Sequence, residues 1–198
     1  TKSSWTVGGK TWPAGALIAM NFDEFMAGKR DFTALFTPDA HTALADYSWT
    51  RHHMILDVLD DVKSRLDVLT PPASGDGAWA REALPGAPKF STIAVVGTDP
   101  DHSDEYWLTV TGFLDPPSLE RGVLGSEPAK KIKQEPAFFD ASKFEVSQHF
   151  VTSKDGTRVP YFEIAPKGMQ LDGKNRTLEY GYGGFEVSLL PHYSGSIG

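Results

Sequence analysis

Apolar and polar residues alternate in short stretches along most of the chain, and glycine or proline separates one stretch from the next. Tyr106, Leu108 and Val110 fall on one side of such a stretch, with Trp107, Thr109 and Thr111 on the other. That period of two predicts a strand with one buried face. Arg65, Leu66, Asp67 and Val68 alternate in the same way. Helical periodicity is scarce. Residues 21–29 fit one short helix with Phe22, Phe25 and Met26 on a common side, and fit a strand and turn equally well.

The candidate strands fall into groups. Four begin near Ala43, Met54, Arg65 and Ala78, and four more near Thr92, Tyr106, Leu119 and Ala129. Matching members lie roughly fifty residues apart, the scale of one four-stranded propeller blade. A remnant of an earlier group covers residues 17–20 and 32–36. The repeat leaves two architectures open: blades of a propeller, or a sandwich of two hairpin-rich sheets.

The pattern changes at residues 136–142. Beyond it, residues 144–151 and 159–164 read as strands joined through Asp155-Gly156, a dipeptide that turns readily because glycine accepts positive φ. A polar loop at residues 166–176 precedes an expected strand, Thr177-Leu178-Glu179-Tyr180, which runs into Gly181-Tyr182-Gly183-Gly184-Phe185. A boundary near residues 139–143 divides the chain into units 1–140 and 141–198.

Composition narrows the function classes. The 198 residues carry 19 Lys and Arg against 26 Asp and Glu, a formal charge of −7, which argues against a nucleic-acid partner. Cysteine is absent, which excludes disulfides, thiolate zinc sites and a cysteine nucleophile, and leaves the compartment undefined between cytoplasm and periplasm. No apolar run approaches the roughly 20 residues of a membrane-spanning helix, so no membrane partner is expected. Thr1-Lys2-Ser3-Ser4-Trp5 does not read as a signal peptide.

Several constellations invite a chemical reading. His52 and His53 are adjacent, so on a strand they point to opposite faces and do not share an ion. Asp57, Asp60 and Asp61 read as a solvated hairpin tip rather than a Ca²⁺ loop. Residues 99–105 form an acidic loop between strands, and Lys130, Lys131 and Lys133 a solvent-facing strand edge. Ser147 and His149 share a strand face with no carboxylate partner evident in sequence. Neither metal nor cofactor is expected. The turn Tyr180-Gly181-Tyr182-Gly183-Gly184-Phe185 is the most informative stretch. Glycines there let backbone approach a ligand while the rings project, as around an oxyanion hole, although a tight turn that only packs has the same look.

Four blocks in order carry a family resemblance: Ser153-Lys154-Asp155-Gly156-Thr157-Arg158-Val159-Pro160, Lys167-Gly168-Met169-Gln170-Leu171-Asp172-Gly173, the glycine-aromatic turn, and Pro191-His192-Tyr193-Ser194. They resemble the opening of the catalytic domain of prolyl oligopeptidases. The upstream half, through Tyr47-Ser48-Trp49-Thr50 and Asp115-Pro116-Pro117-Ser118-Leu119, is similar to the last blades of that family's seven-bladed propeller.

The resemblance implies a mainly β chain: two to three blades at 1–140, then the first strands of an α/β-hydrolase domain at 141–198. It implies a parent serine peptidase that cuts short peptides after proline. It assigns Tyr182 to the oxyanion hole and Phe185 to the wall of the proline pocket. No Gly-x-Ser-x-Gly occurs, so the Ser-Asp-His triad is absent and the isolated chain is expected to be inactive and to self-associate. Glu179 departs from the apolar residue that the family tends to place in that strand. The alternative is a non-catalytic β-rich binding or regulatory module of the same ancestry.

Overall fold

The computed structural model describes residues 1–73, 77–86, 88–185 and 187–198. The described strands are β1 (Trp5–Val7), β2 (Lys10–Trp12), β3 (Leu17–Ala19), β4 (Thr33–Phe36), β5 (Thr42–Trp49), β6 (Met54–Asp60), β7 (Lys63–Thr70), β8 (Ala80–Ala83), β9 (Ser91–Thr98), β10 (Glu105–Gly112), β11 (Ser118–Val123), β12 (Glu127–Gln134), β13 (Phe144–Thr152) and β14 (Arg158–Pro166). One helix, α1 (Phe22–Met26), lies between β3 and β4. Asn21 caps it, its side-chain oxygen accepting from Asp23 N at 2.8 Å and Glu24 N at 3.2 Å. Of the two readings left open for residues 21–29, the helix is the one formed.

Every described pairing is antiparallel. β5-β6-β7-β8 and β9-β10-β11-β12 are four-stranded meanders, while β1-β2, β3-β4 and β13-β14 are two-stranded. The strands of the meanders start within a few residues of the positions at which the repeat places them.

The sheets stack face to face, and the first meander forms the middle layer. Its β6 reads Met-Ile-Leu-Asp-Val-Leu-Asp, an almost continuous apolar run, because both of its faces are covered. Met54, Leu56 and Val58 pack with Leu35 and Phe36 of the β3-β4 pair. Ile55, with Leu66 and Val68 of β7, packs against Ile93, Tyr106, Leu108 and Val110 of the second meander. Burying an Ile or Leu fully contributes on the order of 2 kcal/mol. In β10 the expected alternation holds, with Tyr106, Leu108 and Val110 buried and Thr109 exposed. Gly122 stands opposite Tyr106 across β10-β11, and a Cβ there would lie 2.5 Å from the tyrosine Oη. Glycine lets the ring lie flat over β11.

Two expectations are corrected. Thr177-Leu178-Glu179-Tyr180 is not a strand: no described strand runs beside it to complete its backbone hydrogen bonds, and Leu178 and Tyr180 are exposed. Glu179 therefore sits in solvent, which removes the cost of a buried charge. Asp57 is not at a hairpin tip: it lies inside β6 and is only 8% exposed.

Candidate functional site

The β13-β14 ribbon sits at one end of the stacked meanders. Gln148 Nε2 donates to the Asp61 carbonyl in the β6-β7 turn at 2.8 Å. Phe162 of β14 packs its ring 5.7 Å from Phe90 and 5.1 Å from Phe113, both of which lie in connections of the meanders. The last residues return along the second meander. Thr92 Oγ1 donates to the Pro191 carbonyl at 2.6 Å, Tyr193 N donates to Thr111 Oγ1 at 3.2 Å, and the Tyr193 ring stacks on Phe139 at 5.1 Å.

Between these anchors the glycine-aromatic turn reaches into solvent. Phe185 has φ 56° and is 94% exposed. Tyr182 is half-exposed, and its ring folds back over Gly184, where a Cβ would lie 2.8 Å from the Tyr182 Oη. The two residues therefore share one exposed turn, in which open side chains and glycine backbone face the same solvent.

The ribbon also brings together a serine, a histidine and a carboxylate. Ser147 Oγ lies 2.8 Å from His149 Nε2, and Glu163, directly across from Ser147 on β14, lies 3.0 Å from the same nitrogen. The expectation that Ser147 and His149 lack a carboxylate is corrected: register, not sequence proximity, supplies it. The arrangement is nonetheless no relay. A triad needs the acid on one ring nitrogen and the nucleophile on the other, whereas here both meet Nε2. The His149 ring stacks on Tyr161 at 5.3 Å, which fixes its plane.

At the opposite end, His52 and His53 occupy a turn rather than a strand, and each has its own partner. His52 Nδ1 lies 2.7 Å from Asp104 Oδ2, and His53 Nδ1 lies 2.8 Å from Thr70 Oγ1. The acidic loop at 99–105 is thus more than solvent-facing, since Asp104 ties the two meanders together. Burial acts to raise the Asp104 pKa, but the hydrogen bonds from His52 and Thr50 outweigh it and hold the carboxyl below its usual range. Asp57 is the reverse case. Desolvation, followed by the neighbouring Asp46, pushes its carboxyl up to about 6, and its Oδ1 has no hydrogen-bond partner among the described residues. The triplet thus divides between the buried interior of β6 at Asp57 and the partly buried end of β6 and its turn at Asp60 and Asp61.

No protein-family model matches the chain. It is 35% identical to the uncharacterized peptidase y4nA of Sinorhizobium fredii, over 100% of this chain and 27% of that protein. It is 33% identical to the prolyl endopeptidase of Elizabethkingia miricola over 46% of this chain and 13% of that protein. The structure of a post-proline cleaving enzyme from Rickettsia typhi superposes with a TM-score of 0.79 at 27% identity, covering 98% of this chain and 28% of that one. The chain thus spans about a quarter of the length of the relatives that it matches end to end. A likeness that takes in both meanders, the ribbon and the glycine-aromatic turn together places the chain in the prolyl oligopeptidase family of peptidases.

Proposed function

We propose that the chain is the segment of a serine-type oligopeptidase where its propeller meets its catalytic domain, and that the parent protein cuts short peptides on the carboxyl side of proline. On this reading the two meanders, with the β3-β4 pair, are blades of a seven-bladed propeller within residues 1–140. Residues 141–198 begin the α/β-hydrolase domain. The observation that carries the reading is the superposition on the post-proline cleaving enzyme, which extends over 98% of the chain.

Tyr182 donates its hydroxyl to the oxyanion that forms as the scissile carbonyl is attacked, and Phe185 supplies a flat apolar wall for the proline ring. Both must approach a substrate, and their exposure on one turn supports this. The serine nucleophile, its histidine base and the orienting aspartate lie in the parent outside this chain, so the chain alone turns nothing over. Its exposed apolar residues, Leu171, Leu178 and Phe185 among them, favour self-association.

The test is an assay with a proline-linked chromogenic peptide. The parent gene product should cleave it and the 198-residue chain should not. Tyr182→Phe in the parent should lower kcat about 100- to 1,000-fold with little change in KM. Turnover by the chain alone, or an unchanged kcat in that variant, would overturn the assignment.

A further inference from the structure

A cleft of about 240 Å³ lies between the β6-β7 hairpin and the segment leading into β9, at the end of the meanders where the ribbon docks. Asp60, Lys63, Arg65, Pro88, Lys89 and Phe90 line it. In a chain of formal charge −7, this lining carries three cations and one carboxylate. Arg65 is already engaged, by Asp60 at 3.2 Å and by Asp67 at 3.4 Å. Lys63 and Lys89 have no ion-pair or hydrogen-bond partner among the described residues, so their charge is available to a ligand.

Pro88 and Phe90, on either side of Lys89, form the apolar part of the lining, and Phe90 is held in place. Phe90 adopts φ 55°, a left-handed conformation that a phenylalanine keeps only when its surroundings impose it. Its packing on Phe162 does so. Ser64 Oγ, also in the cleft, accepts from Ile93 N at 3.1 Å and so fixes the floor to β9.

We propose that this cleft binds the free C-terminal carboxylate of a short peptide. The carboxylate meets Lys63 and Lys89, and the adjoining apolar side chain lies on Pro88 and Phe90. The proposal rests on the peptide-ligand reading above. A monoanion suits the cleft better than a phosphate dianion, because the Asp60 carboxylate repels the second negative charge and because Pro88 and Phe90 offer no hydrogen-bond donor to a second charged oxygen.

The test titrates the ¹⁵N-labelled chain with an N-acetylated tripeptide ending in a free leucine carboxylate, and separately with its C-terminal amide. The amide signals of Lys63, Ser64, Lys89 and Phe90 should shift with the acid, and the amide form should bind about five- to ten-fold more weakly. The Lys63→Gln/Lys89→Gln variant, its spectrum still dispersed, should bind both forms alike. Equal binding of acid and amide by the unaltered chain overturns the proposal, as does displacement of the peptide by an equal concentration of inorganic phosphate. The probe contains no proline and no turnover is read. Failure here therefore leaves the peptidase reading intact, and an inactive parent would leave a carboxylate effect standing.

Discussion

Asp104 Oδ1 accepts a hydrogen bond from Thr50 Oγ1 at 2.9 Å, joining the β9-β10 loop of the second meander to the end of β5 across 54 residues of sequence. Thr50 is 2% exposed, so the bond is shielded from water. The same carboxylate accepts from His52 N at 2.8 Å, and the neighbouring backbone adds Arg51 N to Ser103 O at 2.9 Å. One side chain thereby fixes the relative position of two sheets.

Asp104→Ala should accordingly destabilise the chain by about 2–3 kcal/mol, because it leaves the buried Thr50 hydroxyl without this acceptor. Urea denaturation checks the figure, and a cycle with His52→Ala should show coupling between the two sites. The Asp104 carboxyl is held below its ordinary value of 3.8, so the stability that it contributes is present above that pH and is lost as pH falls below it.

Asp57 should impose the opposite dependence. Its carboxyl is raised from 3.8 to about 6, so the folded chain favours the protonated form. Stability should be full below about pH 4 for this group and should decline as pH rises through 6, by up to ~3 kcal/mol. The groups that face it offer no compensation: Asp46 stands opposite on β5, Leu66 opposite on β7, and β9 carries no charged residue. Asp57→Asn should remove the decline and stabilise the chain at pH 7.5. A melting temperature that still falls between pH 4.5 and 7.5 in that variant, as steeply as in the unaltered chain, would count against a buried carboxylate.

The β6-β7 turn holds a further strain. Asp61 and Val62 have φ 47° and 61°, the pattern of a two-residue turn that asks for positive φ at both central positions. Aspartate tolerates this, while a β-branched valine does not. Val62→Gly should raise stability by about 1 kcal/mol, seen as a higher denaturant midpoint at unchanged slope.

Tyr106 and Gly122 give a steric test. A Cβ at position 122 would lie 2.5 Å from Tyr106 Cζ, and the ring, 1% exposed, has nowhere to move. Gly122→Ala should cost about 2–3 kcal/mol, and much less when Tyr106 is already leucine.

Much of this architecture was legible along the chain, because strands announce themselves locally. The alternation in residues 105–112, the two groups of four strands, the Asp155-Gly156 turn and the lysine-rich edge at β12 each follow from side-chain periodicity or turn chemistry. The block from Ser153 to Ser194 carried the family signal for the same reason, since a motif is read residue by residue. Thr177-Leu178-Glu179-Tyr180 shows where local signals stop: β-propensity is expressed only where a neighbouring strand accepts the hydrogen bonds.

By itself the sequence determined most of the strands, the antiparallel hairpins, the repeat and the family, because all of these depend on residues near one another. Tertiary structure alone decided which partners meet across long separations. It placed Asp57 in a seam rather than at a tip, brought Glu163 to the same His149 nitrogen as Ser147, set Asp104 against Thr50, and left Lys63 and Lys89 without a partner among the described residues around a cleft. Burial, register and ion pairing are properties of surfaces brought together from distant parts of the chain, so a charge's cost and its partner become fixed only when the sheets stack.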